Sequence, residues 1–162
     1  MNDYLGQLIQ RYSQSGIIVD TNILLLYFVG NCKHRRTRQY LPTDHDLLLK
    51  LLKMFQNRIV TTPSILTEAS NLLGNCSTPD QGKLWKVFAS KIETLGEKYL
   101  DSQRVSKTPM FSKFGLTDSA IIELVREKYL VLTDDAALFQ YLEKNGIDVL
   151  NFTHLRKSNL LA

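Results

Sequence analysis

The sequence predicts an α/β fold, a three-layer α/β/α sandwich around a central, mainly parallel sheet, with residues 1–162 as a single domain. Two observations carry that expectation. Short continuous apolar runs, the mark of strands buried on both faces, alternate with longer segments whose apolar residues recur at helical spacing. Such alternation builds a parallel sheet covered by helices on both sides. In addition, acidic residues stand just past two of the apolar runs, where open parallel sheets bind their ligands.

Leu5, Leu8, Ile9 and Tyr12 recur at helical spacing and predict an opening helix that stops before Ser15-Gly16. Ile17 to Val19 reads as a buried strand. Helical spacing resumes from Ile23 to Val29 and fades at Gly30-Asn31, followed by a basic loop over 32–43. A helix is expected from about Asp44 to Gln56 and a short strand from Arg58 to Thr61. Pro63 then stands where a first helical residue tolerates a missing N–H, with Thr62 as its N-cap. That helix runs to about Leu73 and breaks at Gly74-Asn75. Leu84, Val87, Phe88 and Ile92 mark a helix from about Pro79, whereas 93–114 gives little periodic signal. Ala120 to Lys128 reads as a helix, Tyr129 to Thr133 as a strand, and Ala136 to Lys144 as a helix closed by Asn145-Gly146. Ile147 to Phe152 is the expected last strand.

Composition narrows the function classes. An apolar share of 44% with 22% charged residues is that of an ordinary globular chain. The net charge of +4 is a moderate basic bias. The bias on the remaining surface is larger once the acids discussed below are set aside, and phosphates need such an exterior to approach carboxylates. Cys32 and Cys76 lie far apart in polar stretches, which argues against a disulfide framework or a C-x-x-C metal site and for a reduced, cytoplasmic protein. Met1-Asn2-Asp3 lacks the features of a signal peptide. The run Ile23–Val29 is too short to span a bilayer, so no membrane association is expected.

Four carboxylates carry the chemistry: Asp20 after Ile17-Ile18-Val19, Glu68 in the helix after Pro63, Asp118 after Gly115-Leu116-Thr117, and Asp135 after Val131-Leu132-Thr133-Asp134. A carboxylate at the end of an apolar strand costs several kcal/mol to desolvate without compensation. Four from distant parts of the chain point to one compensator, a divalent ion, and hard oxygen donors favour Mg²⁺ or Mn²⁺ over Zn²⁺. Each acid also has a plainer reading. Asp20 is a good N-cap for the helix that follows, as is Asp118, and Thr133, Asp134 or Asp135 is suited to cap the helix at Ala136. Glu68 resists that reading. Its helix places Ile65, Ala69 and Leu72 in one stripe with Glu68 on the edge, and a capping box from Thr62 would need its acid where Ile65 stands. Asn22, Thr117 and Thr133 are polar neighbours suited to hold the acids in place. Lys33, Arg35, Arg36 and Arg38 form the densest positive run and are candidate phosphate contacts, with Tyr27 and Tyr40 nearby for base stacking.

The ordered series I-V-D-T-N, T-E on a helix, L-T-D-S-A and L-T-D-D, from Ile17 to about Phe152, closely resembles the PIN-domain ribonucleases, a family that includes the VapC-type toxins. The resemblance implies a Mg²⁺- or Mn²⁺-dependent endoribonuclease with Asp20, Glu68, Asp118 and Asp135 as metal ligands. It aligns Asp135 with the family's acidic position and Asp134 with a small polar one. It further implies single-stranded RNA as substrate, a homodimer and, for a toxin, a cognate antitoxin. Two other readings compete. A catalytically silent PIN-like module would hold RNA or protein without cutting. A phosphoryl-transfer domain with an aspartyl nucleophile fits less well, because Asp20-Thr21-Asn22 lacks the second acid of a D-x-D-x-T signature.

Overall fold

Thr133, at the end of one expected strand, is fully buried beside a sheet whose central residues are equally inaccessible. The structure, a computed structural model, describes residues 3–30, 36–76, 80–126 and 128–158. Five strands form one sheet: β1 (Ile17–Val19), β2 (Ile59–Thr61), β3 (Gly96–Glu97), β4 (Leu130–Thr133) and β5 (Val149–Asn151), in the order β3-β2-β1-β4-β5. Every pairing is parallel, with Ile18 opposite Val60 on one side and Val131 on the other. The fold is therefore the expected α/β/α sandwich, with an all-parallel sheet.

Helices α1 (Asp3–Tyr12), α2 (Thr21–Val29), α3 (Pro42–Met54), α4 (Pro63–Gly74), α5 (Gln81–Ile92), α6 (Ser102–Ser106), α7 (Phe111–Val125), α8 (Ala136–Lys144) and α9 (Phe152–Lys157) surround the sheet. Parallel strands need crossovers, and these are right-handed because strands and helices share one chirality. The connections from β1 through β3 step one way across the sheet and those to β4 and β5 step back, which assigns α2–α5 to one face and α6–α8 to the other. Accordingly, α2 packs on α3, α4 and α5, while α7 packs on α6 and α8. The side on which successive strands are added switches between β1 and β4. At that switch the two adjacent crossovers diverge and leave a crevice beyond the strand ends.

Helix α2 is apolar nearly all round, with Ile23, Leu24, Leu25, Leu26 and Phe28 buried, so it lies within the molecule rather than on its surface. Its burial carries Asp20, the residue that starts it, out of solvent. Helix α7 contains a break at Gly115 (φ 70°, ψ −168°) that separates Phe111–Phe114 from the segment bearing Asp118.

Several boundaries differ from expectation. The stretch 93–114 holds β3, α6 and the start of α7. The chain beyond β5 turns into α9, where the side chain of Asn151 accepts from the His154 N–H at 3.1 Å, so Phe152 opens a helix rather than ending a strand. Among the described residues no helix is long and apolar enough to cross a membrane.

Candidate active site

Asp20, Thr133, Asp134 and Asp135 meet at the carboxyl ends of β1 and β4, on either side of the topological switch. Asp20 is 5% exposed and both of its oxygens are engaged. Oδ1 accepts from the Ile23 N–H at 2.9 Å and caps α2. Oδ2 accepts from the Asp134 N–H at 3.0 Å and from the hydroxyl of Thr133. Burial, and then the negative charge of Asp134, push the Asp20 carboxyl up to about 7 against the opposing pull of these donors.

The adjacent acids divide their duties. Asp135, not Asp134 or Thr133, caps α8: its Oδ1 accepts from the Leu138 N–H at 2.8 Å and its own N–H donates to Thr133 Oγ1 at 2.9 Å. Asp134 faces a separate set of donors. Its Oδ1 takes Asn22 Nδ2 at 3.2 Å, and its Oδ2 takes Gln39 Nε2 at 3.1 Å and the Tyr40 hydroxyl. Tyr40 is thus buried and committed to Asp134, which removes it as a stacking surface. Its phenol is pushed upward by burial and by the Asp134 charge. Lys91 Nζ lies 3.9 Å from the Tyr27 ring centre and donates to the Tyr27 carbonyl at 2.8 Å.

On the far side of Asp135 stand the remaining two acids. Thr21, the residue after Asp20, donates to Glu68 Oε2 at 2.9 Å and ties α4 to the start of α2. Asp118 lies in the first turn after the Gly115 break. Burial first, then Asp135 and Glu68, raise its carboxyl to about 6. Among the described residues nothing donates a hydrogen bond to it. The neighbouring Ser119 hydroxyl is buried and without a partner too.

The acids therefore form a chain of contacts rather than a single knot. Asp134 and Asp20 lie at one end, Thr133 and Asp135 in the middle, and Asp118 and Glu68 at the other. No family model, curated protein or solved structure matches this sequence. The site's chemistry has to be read from its own residues.

Among the described residues, no group of three or more His, Cys, Asp or Glu side chains is placed to hold a metal ion as it stands. The donors nevertheless suit a hard cation. Asp118 is a half-buried carboxyl with no donor among the described residues, close to two further carboxylates that raise it. Oxygen donors of like charge with unspent acceptor capacity are what Mg²⁺ or Mn²⁺ would relieve.

Arg36 is exposed and reaches the site through Asn22, with Nη1 3.4 Å from the amide oxygen. Arg38 is exposed, and Lys33 and Arg35 lie outside the described residues. Thr117 lines a cleft of about 620 Å³ beside Glu68 and Asp118, together with Ser64, Thr67, Asn71, Phe114 and Leu116. The cleft was not anticipated, although one signal was present: Ser64, Thr67, Glu68 and Asn71 fall at i, i+3, i+4 and i+7, a polar stripe beside the apolar one. A second cleft of about 530 Å³, lined by Arg11, Tyr12, Arg126 and Asp148, opens at the amino end of the sheet. An Arg11–Asp148 ion pair at 2.6 Å spans it, and the carboxylate chain lies at the other end.

Proposed function

We propose that this protein is a metal-dependent endoribonuclease of the PIN kind, cleaving phosphodiester bonds of single-stranded RNA with Mg²⁺ or Mn²⁺. The observation that carries the reading is Asp118, a half-buried carboxyl without a donor that lies near Asp135 and Glu68 next to an open cleft. Asp118, Glu68 and Asp135, with Asp20 behind them, would hold the ion. When bound, the ion supplies Lewis acidity, making a water more acidic and offsetting charge at the phosphate.

The chain's own residues prepare the rest. The N–H groups of Ile23 and Asp134 and the Thr133 hydroxyl fix Asp20 in one orientation, so no reorganisation is needed during a reaction. Thr21 fixes Glu68 in the same way. Arg36, held toward the site by Asn22, supplies a cation at the edge where a phosphate would arrive. A carboxyl raised to about 6 at Asp118 is suited to exchange a proton near neutral pH when no ion is present.

One observation favours a second reading, a module that holds RNA without cutting. Both oxygens of Asp20 are already spent on the protein's own donors, as in a structural cap. Asp118→Asn separates the two. A nuclease loses Mn²⁺-dependent cleavage of a single-stranded RNA by at least about a hundredfold while still binding it, since one charged oxygen of the ion site is gone. Absence of cleavage by the wild type across Mg²⁺ and Mn²⁺, with RNA binding retained, would establish the silent module instead.

A further inference from the structure

The cleft beside Asp118 has a chemistry that the carboxylates do not explain. One wall is the polar stripe of α4, where Ser64, Thr67 and Asn71 present two hydroxyls and an amide. The facing wall is apolar. Phe114 and Leu116 flank the break at Gly115, and Leu116 is 38% exposed although it is an aliphatic residue in a helix. Phe114 is fixed by Tyr141, with ring centres 5.3 Å apart, and it retains a partly exposed side. Lys113 Nζ lies 5.0 Å from the Phe114 ring centre, a cation beside the apolar wall.

We propose that this cleft holds one unpaired base of a single-stranded RNA whose adjoining phosphate lies over the carboxylates. The proposal rests on the nuclease reading above and assigns its substrate a second, base-contacting subsite. A ring and an isobutyl group offer a surface to the flat face of a base, while an amide and two hydroxyls meet the donors and acceptors of its edge. The volume of about 620 Å³ is that of a small-ligand site rather than a protein groove. Charge narrows the occupant further. Glu68 and Asp118 line the cleft and disfavour an anion inside it, whereas the exposed Lys113 next to Phe114 suits a phosphate that stays outside. An uncharged, flat, polar ring joined to a phosphate meets both demands, and that is a nucleotide.

The contact chain also gives the strand a path. Arg36 stands at the Asn22–Asp134 end and the cleft at the Asp118–Glu68 end, with Asp20 and Asp135 between. RNA crossing the site would touch a cation, then the acids, then an aromatic pocket.

The test is binding of a fluorescein-labelled single-stranded RNA and of an abasic ribose-phosphate strand of equal length, in EDTA so that nothing is cut. The wild type should bind the RNA about tenfold or more tighter than the abasic strand, the order expected for one stacked base. Phe114→Leu removes the ring, and Asn71→Met, at an exposed position, replaces the amide with an apolar chain that offers neither a ring nor a hydrogen bond to a base. Each should shrink that ratio several-fold and leave abasic binding as it was. Equal affinity of the wild type for both strands, or a ratio unmoved by both substitutions, overturns the subsite. Cleavage in Mn²⁺ is scored separately, so a protein that cuts but ignores the bases refutes the subsite alone, and one that reads the bases but never cuts supports the subsite while the nuclease reading fails.

Discussion

Tyr40 is only 1% exposed, yet its hydroxyl leaves the core to donate to Asp134. The ring packs edge-on against Phe152 at 5.9 Å, and Arg156 lies 5.3 Å from its centre. Arg156 in turn bonds the Gln39 carbonyl at 2.9 Å and the Asp44 carboxylate at 3.0 Å. The segment carrying Arg36 is therefore strapped between α9, α3 and the acid chain. Deleting a hydrogen bond to a charged group costs about 1.5–3 kcal/mol, less where water can replace the donor. Asp134 is partly exposed, so Tyr40→Phe should lose about 1 kcal/mol while the ring packing survives. It should also weaken RNA binding, because Arg36 is less firmly aimed. Urea unfolding beside an RNA titration checks both, and an unchanged midpoint would show that this donor does not secure the segment.

Gly115 breaks α7 at a positive φ of 70° and aims Asp118 at Glu68 and Asp135. A Cβ there would meet nothing within 4 Å, so the demand is on backbone conformation alone. Gly146 has φ 69° and the same open surroundings, but it follows α8 at the other end of the sheet. Alanine at either position should be destabilising, by about 1–3 kcal/mol at Gly115, whose ψ of −168° lies where essentially only glycine is found. Gly115→Ala should also reduce Mn²⁺-dependent cleavage per folded molecule, whereas Gly146→Ala should leave it as in the wild type. Matched activities would mean that the break serves folding only. Elements such as β1, β4 and α4 were legible because continuous apolar runs and side-chain caps are local signals. Strand β3 was not, since Gly96 and Glu97 are exposed and are set in place only by backbone pairing with Val60 and Thr61. The acids were legible by type and position, but their division was not. Asp135 caps α8 while Asp134 is bonded by Tyr40, 94 residues away in the chain, and no local pattern contains that contact.

The chain as a whole carries a net charge of +4, yet five of its 16 acids, Asp20, Glu68, Asp118, Asp134 and Asp135, gather at one end of the sheet, where they repel one another. The folded carboxyls of Asp20 and Asp118 are raised to about 7 and about 6, above the 3.8 of a free side chain. A raised acid binds more protons folded than unfolded, so its contribution is intact below about pH 4 and is lost as pH climbs through the folded value. Stability without metal should therefore fall between about pH 4 and pH 7.5. For Asp118 the loss should be about 2 kcal/mol, after discounting the shift at its partly exposed edge. At roughly 2–4 °C per kcal/mol for a chain of this size, that is several degrees of melting temperature. Asp118→Asn cannot ionise there and should lose correspondingly less over the same range in EDTA. A divalent ion acts in the opposite sense. Bound at a hundredfold its dissociation constant it adds about 2.7 kcal/mol, so Mn²⁺ at pH 7.5 should raise the melting temperature of the wild type more than that of the variant. Parallel pH curves for the two proteins, with equal responses to Mn²⁺, would place Asp118 outside any shared acidic site and leave its burial without a functional account.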